Sequence, residues 1–178
     1  NVRKILFAEG LWVGNLIGDS VGVTPEHEAV LIKVGEYARS HGYFSAEGSN
    51  CGIDYFVKDD GSIIVTEINA RWTGGLFPAE ILRQIDSGGR DAVPFFDVVP
   101  VAKRDAYADF LEQHLVGDFE GDFAMVPIGF GALELNIDGS PHFYTWQMVL
   151  GDLAAFKTAK QQILGDGVLP TADIISLD

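Results

Sequence analysis

A chain of 178 residues, 47% hydrophobic and with 21 glycines, is long enough for one domain or two small subdomains with a real core. Twenty-six acids against 12 Lys plus Arg give a formal charge of −14, which argues against nucleic acid or an anionic membrane as a partner held by bulk attraction. The single Cys51 excludes an internal disulfide framework and fits a reducing cytoplasm, and no apolar run reaches the ~18 residues of a membrane span.

The negative charge leaves nucleotide phosphates open, because divalent ions bridge them to carboxylates. No signal-peptide pattern is present. The chain starts at Asn1 and runs directly into the apolar stretch Ile5–Ala8, as expected for a piece of a longer protein.

Residues 2–22 read as short strands broken by glycines, with Gly14 and Asn15 in a turn. Thr24-Pro25-Glu26 is a helix start, with Thr as N-cap, Pro at the first helical position and acids in the first turn. Val30, Leu31, Val34, Tyr37 and Ala38 recur at helical spacing and Gly42 follows as a stop, so a helix is expected over about 25–41 with one face on a sheet.

Two apolar runs, Ile53–Val57 and Ile63–Ile68, flank Asp60-Gly61 and predict a hairpin over 52–69. With Asp60 and Gly61 as the two turn residues, Asp59 pairs with Ser62, Asp54 falls opposite Glu67, and Asn69 opposite Gly52. Strand alternation then puts Asp54, Glu67 and Asn69 on one face. Like charges directly opposite destabilise a sheet, so two carboxylates and a carboxamide so arranged point to a cation between them. Oxygen-only donors suit Mg²⁺ or Mn²⁺ rather than zinc.

A loop, Arg71–Gly75, and a short helix over 77–86 are expected next, with Trp72 as a packing residue. Residues 87–104 read as irregular, and Asp105–Val116 as a helix with Tyr107, Phe110, Leu111 and His114 along one side. Phe123–Leu135 is strand-like, Asp138-Gly139 makes a second hairpin towards Phe143–Trp146, and Asp152 caps a last helix ending near Leu164 and Gly165. The order predicts an α+β fold, a mainly antiparallel sheet flanked by helices. A composition shift near residue 90 divides the chain into 1–90 and 91–178.

His27, His41, His114 and His142 share no ligand spacing and read as helix-end or surface residues; Cys51 reads as a small buried hydrophobe. Arg3 and Lys4 read as solvated charges near a chain end. Glu-x-Asn occurs twice. The second copy, Glu134-Leu-Asn136, lacks an opposed aspartate and a following Arg and Gly-Gly, and reads as the solvated face of a hairpin.

The first copy is joined by Asp54, by Arg71 two residues beyond Asn69, and by Gly74-Gly75. That ensemble, with thirteen residues from Asp54 to Glu67, resembles the ATP-grasp superfamily, in particular its D-alanine–D-alanine-ligase-like members. The approach Gly42-Tyr-Phe-Ser-Ala-Glu-Gly48 is similar to that of the pheganomycin-type peptide ligases. The resemblance is specific over about 43–80 and looser over 1–42. It implies an ATP-grasp C-terminal lobe in which Asp54, Glu67 and Asn69 bind Mg²⁺ or Mn²⁺, Glu67 bridging two ions. It also implies that Glu67, Asn69 and Arg71 engage ATP, with Arg71 the cation at the transition state. The implied activity is ATP-dependent joining of a small carboxylate and an amine through an acyl-phosphate.

The family's other lobe, with its lysine and its glycine-rich loop over the phosphates, has no counterpart in 1–42, so the metal half is expected without the nucleotide half. Residues 91–178 would be a family-specific extension. The competing expectation is a non-catalytic binding or scaffold module of the same fold; a metal-dependent phosphatase ranks third, for want of a second ligand cluster.

Overall fold

The computed structural model describes residues 2–117 and 121–177, and for 132–134 the backbone alone. The fold is α+β, with antiparallel sheets flanked by helices. It divides into two compact units: the chain up to Val21 together with Pro78 onward, and Gly22–Phe77.

In the first unit, β1 (Lys4–Ala8) and β2 (Leu11–Leu16) form a hairpin. Its turn is Glu9-Gly10, both left-handed at φ 51° and 79°. The turn expected at Gly14-Asn15 is therefore corrected: Gly14 pairs with Leu6 and Asn15 with Ile5, inside β2. Gly14 is glycine because β2 lies so close to the next strand that a Cβ there would stand 2.7 Å from the Pro94 carbonyl oxygen.

That next strand, β5 (Ala92–Pro100), corrects the irregular reading of 87–104. Pro94 disguised it, since proline cannot donate to a ladder; β5 is at the edge of the order β5-β7-β6, where such a residue is tolerated. β6 (Phe123–Ile137) and β7 (Ser140–Gly151) meet at the expected Asp138-Gly139 turn. Both turn residues have positive φ, 50° and 79°, as a type I′ turn requires.

One face of this sheet carries the main core. Phe95, Met125 and Val149 pack with Tyr107 and Phe110 of α3 (Arg104–Gln113) and Phe156 of α4 (Leu153–Ile163). A smaller cluster, Ile17, Ala92, Ala124, Met148 and Leu150, takes in Ala79 of α2 (Leu76–Gln84). Asp152 caps α4 as expected, its Oδ1 accepting from the N–H groups of Ala154 and Ala155 at 2.7 and 3.0 Å.

α4 is not the last helix, because α5 (Pro170–Ile174) follows. Leu169, ahead of it, offers no capping side chain and is left-handed at φ 53°. The cap comes instead from β5: Asp97 Oδ1 accepts from Thr171 N–H at 3.0 Å, and Oδ2 from Ala172 N–H at 2.9 Å. Lys160, fully buried on α4, donates from Nζ to Val168 O at 2.9 Å and to the Asp173 carboxylate at 2.7 Å, tying α5 down a second time.

In the second unit, α1 (Pro25–Ser40) starts as the sequence requires: Thr24 Oγ1 accepts from His27 N–H at 3.3 Å. The capping box is closed by His27 rather than by an acid, its Nδ1 accepting from Thr24 N–H at 3.4 Å. His27 Nε2 therefore carries the proton and donates to Gly61 O at 2.8 Å, pinning the helix start to a hairpin turn. Leu31, Val34 and Ala38 are half-buried, while Val30 and Tyr37 are exposed.

Candidate functional site

The hairpin that carries the candidate site is β3 (Gly52–Val57) with β4 (Ile63–Asn69). Asp54 stands opposite Glu67 and Gly52 opposite Asn69, as the sequence led us to expect. The route to that register is different. Lys58 N–H donates to Ser62 O and Gly61 N–H to Lys58 O, each at 2.8 Å, so the loop is Asp59-Asp60-Gly61 with Gly61 left-handed at φ 79°. That is a three-residue turn rather than the two-residue one.

Taken alone, the longer turn would set Asp54 opposite Thr66 and leave Glu67 on the other face. A bulge at Thr66 takes the extra residue back out, between Tyr55↔Val65 and Asp54↔Glu67. Thr66 Oγ1 donates to Asp54 O at 3.1 Å and holds the bulge to the partner strand. Asp60 sits in the turn, its carboxyl held below the usual range by the Ser62 hydroxyl and N–H, which donate to it at 2.6 and 2.9 Å.

Asp54 and Asn69 are half-buried; Glu67 and Arg71 are exposed. Asn69 Nδ2 donates to Asp54 Oδ2 at 3.2 Å, and Asn69 Oδ1 accepts from Arg71 Nη2 at 3.0 Å. The other arm of the guanidinium, Nη1, donates to Trp72 O at 3.3 Å. Asp54, Asn69 and Arg71 thus form one connected chain, with Glu67 across the strand from Asp54.

The donor set is two carboxylates and a carboxamide, all oxygen, which fits Mg²⁺ or Mn²⁺. For the carboxamide oxygen to serve beside Asp54, the Asn69 side chain must turn over and release Arg71. Among the described residues no group of three or more His, Cys, Asp or Glu side chains is disposed to hold a metal ion.

Beside this chain lies an open hollow of about 530 Å³, lined by Tyr43, Glu47, Gly48, Ser49, Asn50 and Trp72. The Tyr43 hydroxyl donates to Asn50 O, and Ser45 Oγ donates to Gly48 O at 2.6 Å, so the 43–50 loop is fastened to itself. Trp72 was expected to pack. It leans on Phe77, ring centroids 5.6 Å apart, yet stays 57% exposed. Gly42–Gly48 stood out in the sequence but the hollow did not, because nothing local in that run announces that Tyr43 and Ser45 fasten it to Asn50 and Gly48.

Elsewhere, His41 closes α1 and His114 follows α3, as expected of helix ends. His142 departs from that reading: it is buried in β7, with Nδ1 2.9 Å from Ser140 O. Cys51 is half-buried. Lys4 Nζ donates to Leu177 O at 2.9 Å. In the second Glu-x-Asn copy, Asn136 is exposed, and the Glu134 side chain lies outside the described residues.

The strongly shifted carboxyl is not in the hairpin. Burial pushes Asp97 up to about 6 against the pull of its backbone donors. Near it, burial pushes the Tyr107 hydroxyl up to about 12. Tyr107 donates to Gln147 Oε1 at 3.1 Å and shares a 2.8 Å hydrogen bond with Thr145. These groups are buried: Asp97 caps α5, and Tyr107 ties α3 to β7.

No protein-family model matches the chain. No curated protein matches it either. No helix among the described residues is long and apolar enough to cross a membrane.

Proposed function

We propose that this chain is the metal-binding, C-terminal part of an ATP-dependent carboxylate–amine ligase of the ATP-grasp kind, working in the cytoplasm. The observation that carries the reading is the Asp54–Glu67 cross-strand pair, set by a bulge, with Asn69 hydrogen-bonded to Asp54 and Arg71 to Asn69. A sheet gains nothing from opposed carboxylates unless something positive lies over them.

Asp54, Glu67 and Asn69 would hold Mg²⁺ or Mn²⁺. The ion would neutralise the γ-phosphate of ATP and fix its geometry. Arg71, exposed and forked, would donate to the charge that develops as phosphate passes to a carboxylate. An amine would then attack the carbonyl carbon of the resulting acyl-phosphate and displace inorganic phosphate, leaving the amide. The remaining nucleotide contacts would come from a lobe outside this chain.

The test is ADP release by the gene product that contains this chain, assayed with amino-acid or peptide substrates. Glu67→Ala should abolish it; unchanged turnover in that variant removes the mechanism. The alternative, a non-catalytic module of the same fold, draws on the exposure of Glu67 and on the carboxamide nitrogen facing Asp54. Such a module would release no ADP with any substrate and show no Mn²⁺ binding that depends on Glu67.

A further inference from the structure

We propose that the hollow between the 43–50 loop and Trp72 binds the primary ammonium group of the amine co-substrate, an amino acid or peptide; this rests on the ligase reading. Glu47 is the charged residue of its lining, and Tyr43 and Trp72 supply aromatic rings. A carboxylate and two aromatic rings lining one hollow are the chemistry that selects a cation, since each ring presents a negative face. The same lining disfavours a phosphate or carboxylate, which Glu47 would repel.

Position supports the assignment. Arg71 touches both sides: Nη2 reaches Asn69 on the carboxylate face, and Nη1 reaches the carbonyl of Trp72, whose ring lines the hollow. An amine held there lies one residue from the guanidinium proposed to grip the activated carboxyl. The hollow is also fastened in advance, by Tyr43 to Asn50 and by Ser45 to Gly48, so little ordering is needed on binding. Trp72 remains largely exposed on a polar loop, as a ring kept for a ligand would be.

The test follows the Trp72 indole N–H resonance in this chain, assigned by its loss in Trp72→Phe, as alaninamide is added. Alaninamide carries an ammonium and no carboxylate. It should shift the resonance saturably, and N-acetyl-alaninamide, which has no charge, should not. Glu47→Gln should weaken the binding roughly fivefold, the size of a solvent-exposed charge contact. Trp72→Leu, read by calorimetry, should weaken it roughly threefold. Glu47 is exposed and Glu47→Gln should keep the parent's melting temperature; Trp72→Leu also loses the ring contact with Phe77 and should lower it slightly.

An equal response to the acetylated probe, no saturable shift, or indifference to Glu47→Gln overturns the assignment. So does an ATP-induced shift of Trp72 that displaces alaninamide, which would seat a nucleobase there. Ammonium binding without ADP release would sink only the ligase reading; ADP release without ammonium binding would sink only this one.

Discussion

Asn69 turns its carboxamide nitrogen, not its oxygen, toward Asp54, across 3.2 Å. Arg71 maintains that orientation by occupying the oxygen from the other side at 3.0 Å. Arg71 therefore competes with a bare cation for Asn69 and also adds positive charge beside it. Arg71→Ala should raise the affinity for Mn²⁺ alone by roughly two- to fivefold, the scale of one exposed charged hydrogen bond. It should lower the affinity for Mn²⁺·ATP, where the guanidinium contributes to holding phosphate. Mn²⁺ relaxation titrations with and without ATP separate the two; a loss in both would show that Arg71 does not restrain the carboxamide.

The Asp54–Glu67 pair makes a thermal prediction. Without a cation, two carboxylates face each other across adjacent strands, a repulsion of about 0.2–1 kcal/mol. Glu67→Gln removes it and should raise Tm in EDTA by roughly 1–3 °C for a chain of this size. Millimolar Mn²⁺ should stabilise the parent and leave the variant unmoved. A parent that does not respond to Mn²⁺ would mean that the pair is surface charge alone.

The register of this hairpin was legible, but through two departures that cancel. Asp60-Gly61 was a correct turn signal; what it could not reveal was that Asp59 joins the loop, nor that Thr66 bulges to restore the pairing. A bulge is decided by contacts across the strands, and no local pattern around Thr66 announces it. The capped starts at Thr24 and Asp152 and the turn at Asp138-Gly139 were readable because each depends on two or three neighbouring residues. β5 was hidden because Pro94 reads as a breaker unless its edge position is known. α5 was hidden because its cap, Asp97, arrives from 74 residues away. Of the site, the charged residues were visible in sequence; the orientation of Asn69 and the fastened hollow are products of folding.

Gly52, opposite Asn69, is where backbone packing bears on the site. A Cβ there would stand 2.6 Å from Thr73 Cγ2, and a β-branched side chain has little freedom to withdraw. Gly52→Ala should therefore cost about 1–2 kcal/mol as an overpacking substitution. It should also push on the loop that carries Arg71 and Trp72, changing the Trp72 indole resonance. Thr73→Ser removes the colliding methyl, so the double variant should recover most of the loss. No recovery in denaturant unfolding would place the strain elsewhere than at Thr73.

Asp97 gives stability an uncommon dependence on pH. Its carboxyl titrates at about 6 in the fold against an ordinary value of 3.8, because burial disfavours the charge more than its backbone donors favour it. The folded state then holds a proton that the unfolded chain has released. The contribution is full below about pH 4 and is lost as pH rises through 6, a change on the order of 3 kcal/mol. Asp60, Glu26 and His114 are shifted the other way, Asp60 and Glu26 by hydrogen bonds and His114 by burial, so what they contribute is lost as pH falls. For Glu26 and His114, with ordinary values of 4.5 and 6.5, that loss falls in this window and opposes the Asp97 slope. The Asp97 shift is the large one, so melting temperature should on balance fall between pH 4 and 6. Asp97→Asn keeps the shape but puts an N–H against that of Ala172, and should cost about 1–3 kcal/mol near pH 4, where the parent is most stable, and less as pH rises through 6. What it removes is the downward slope: without Asp97 the profile from pH 4 to 6 should be flat or rise with pH, as the His114 contribution is recovered. A slope equal to the parent's would assign the titration to another group.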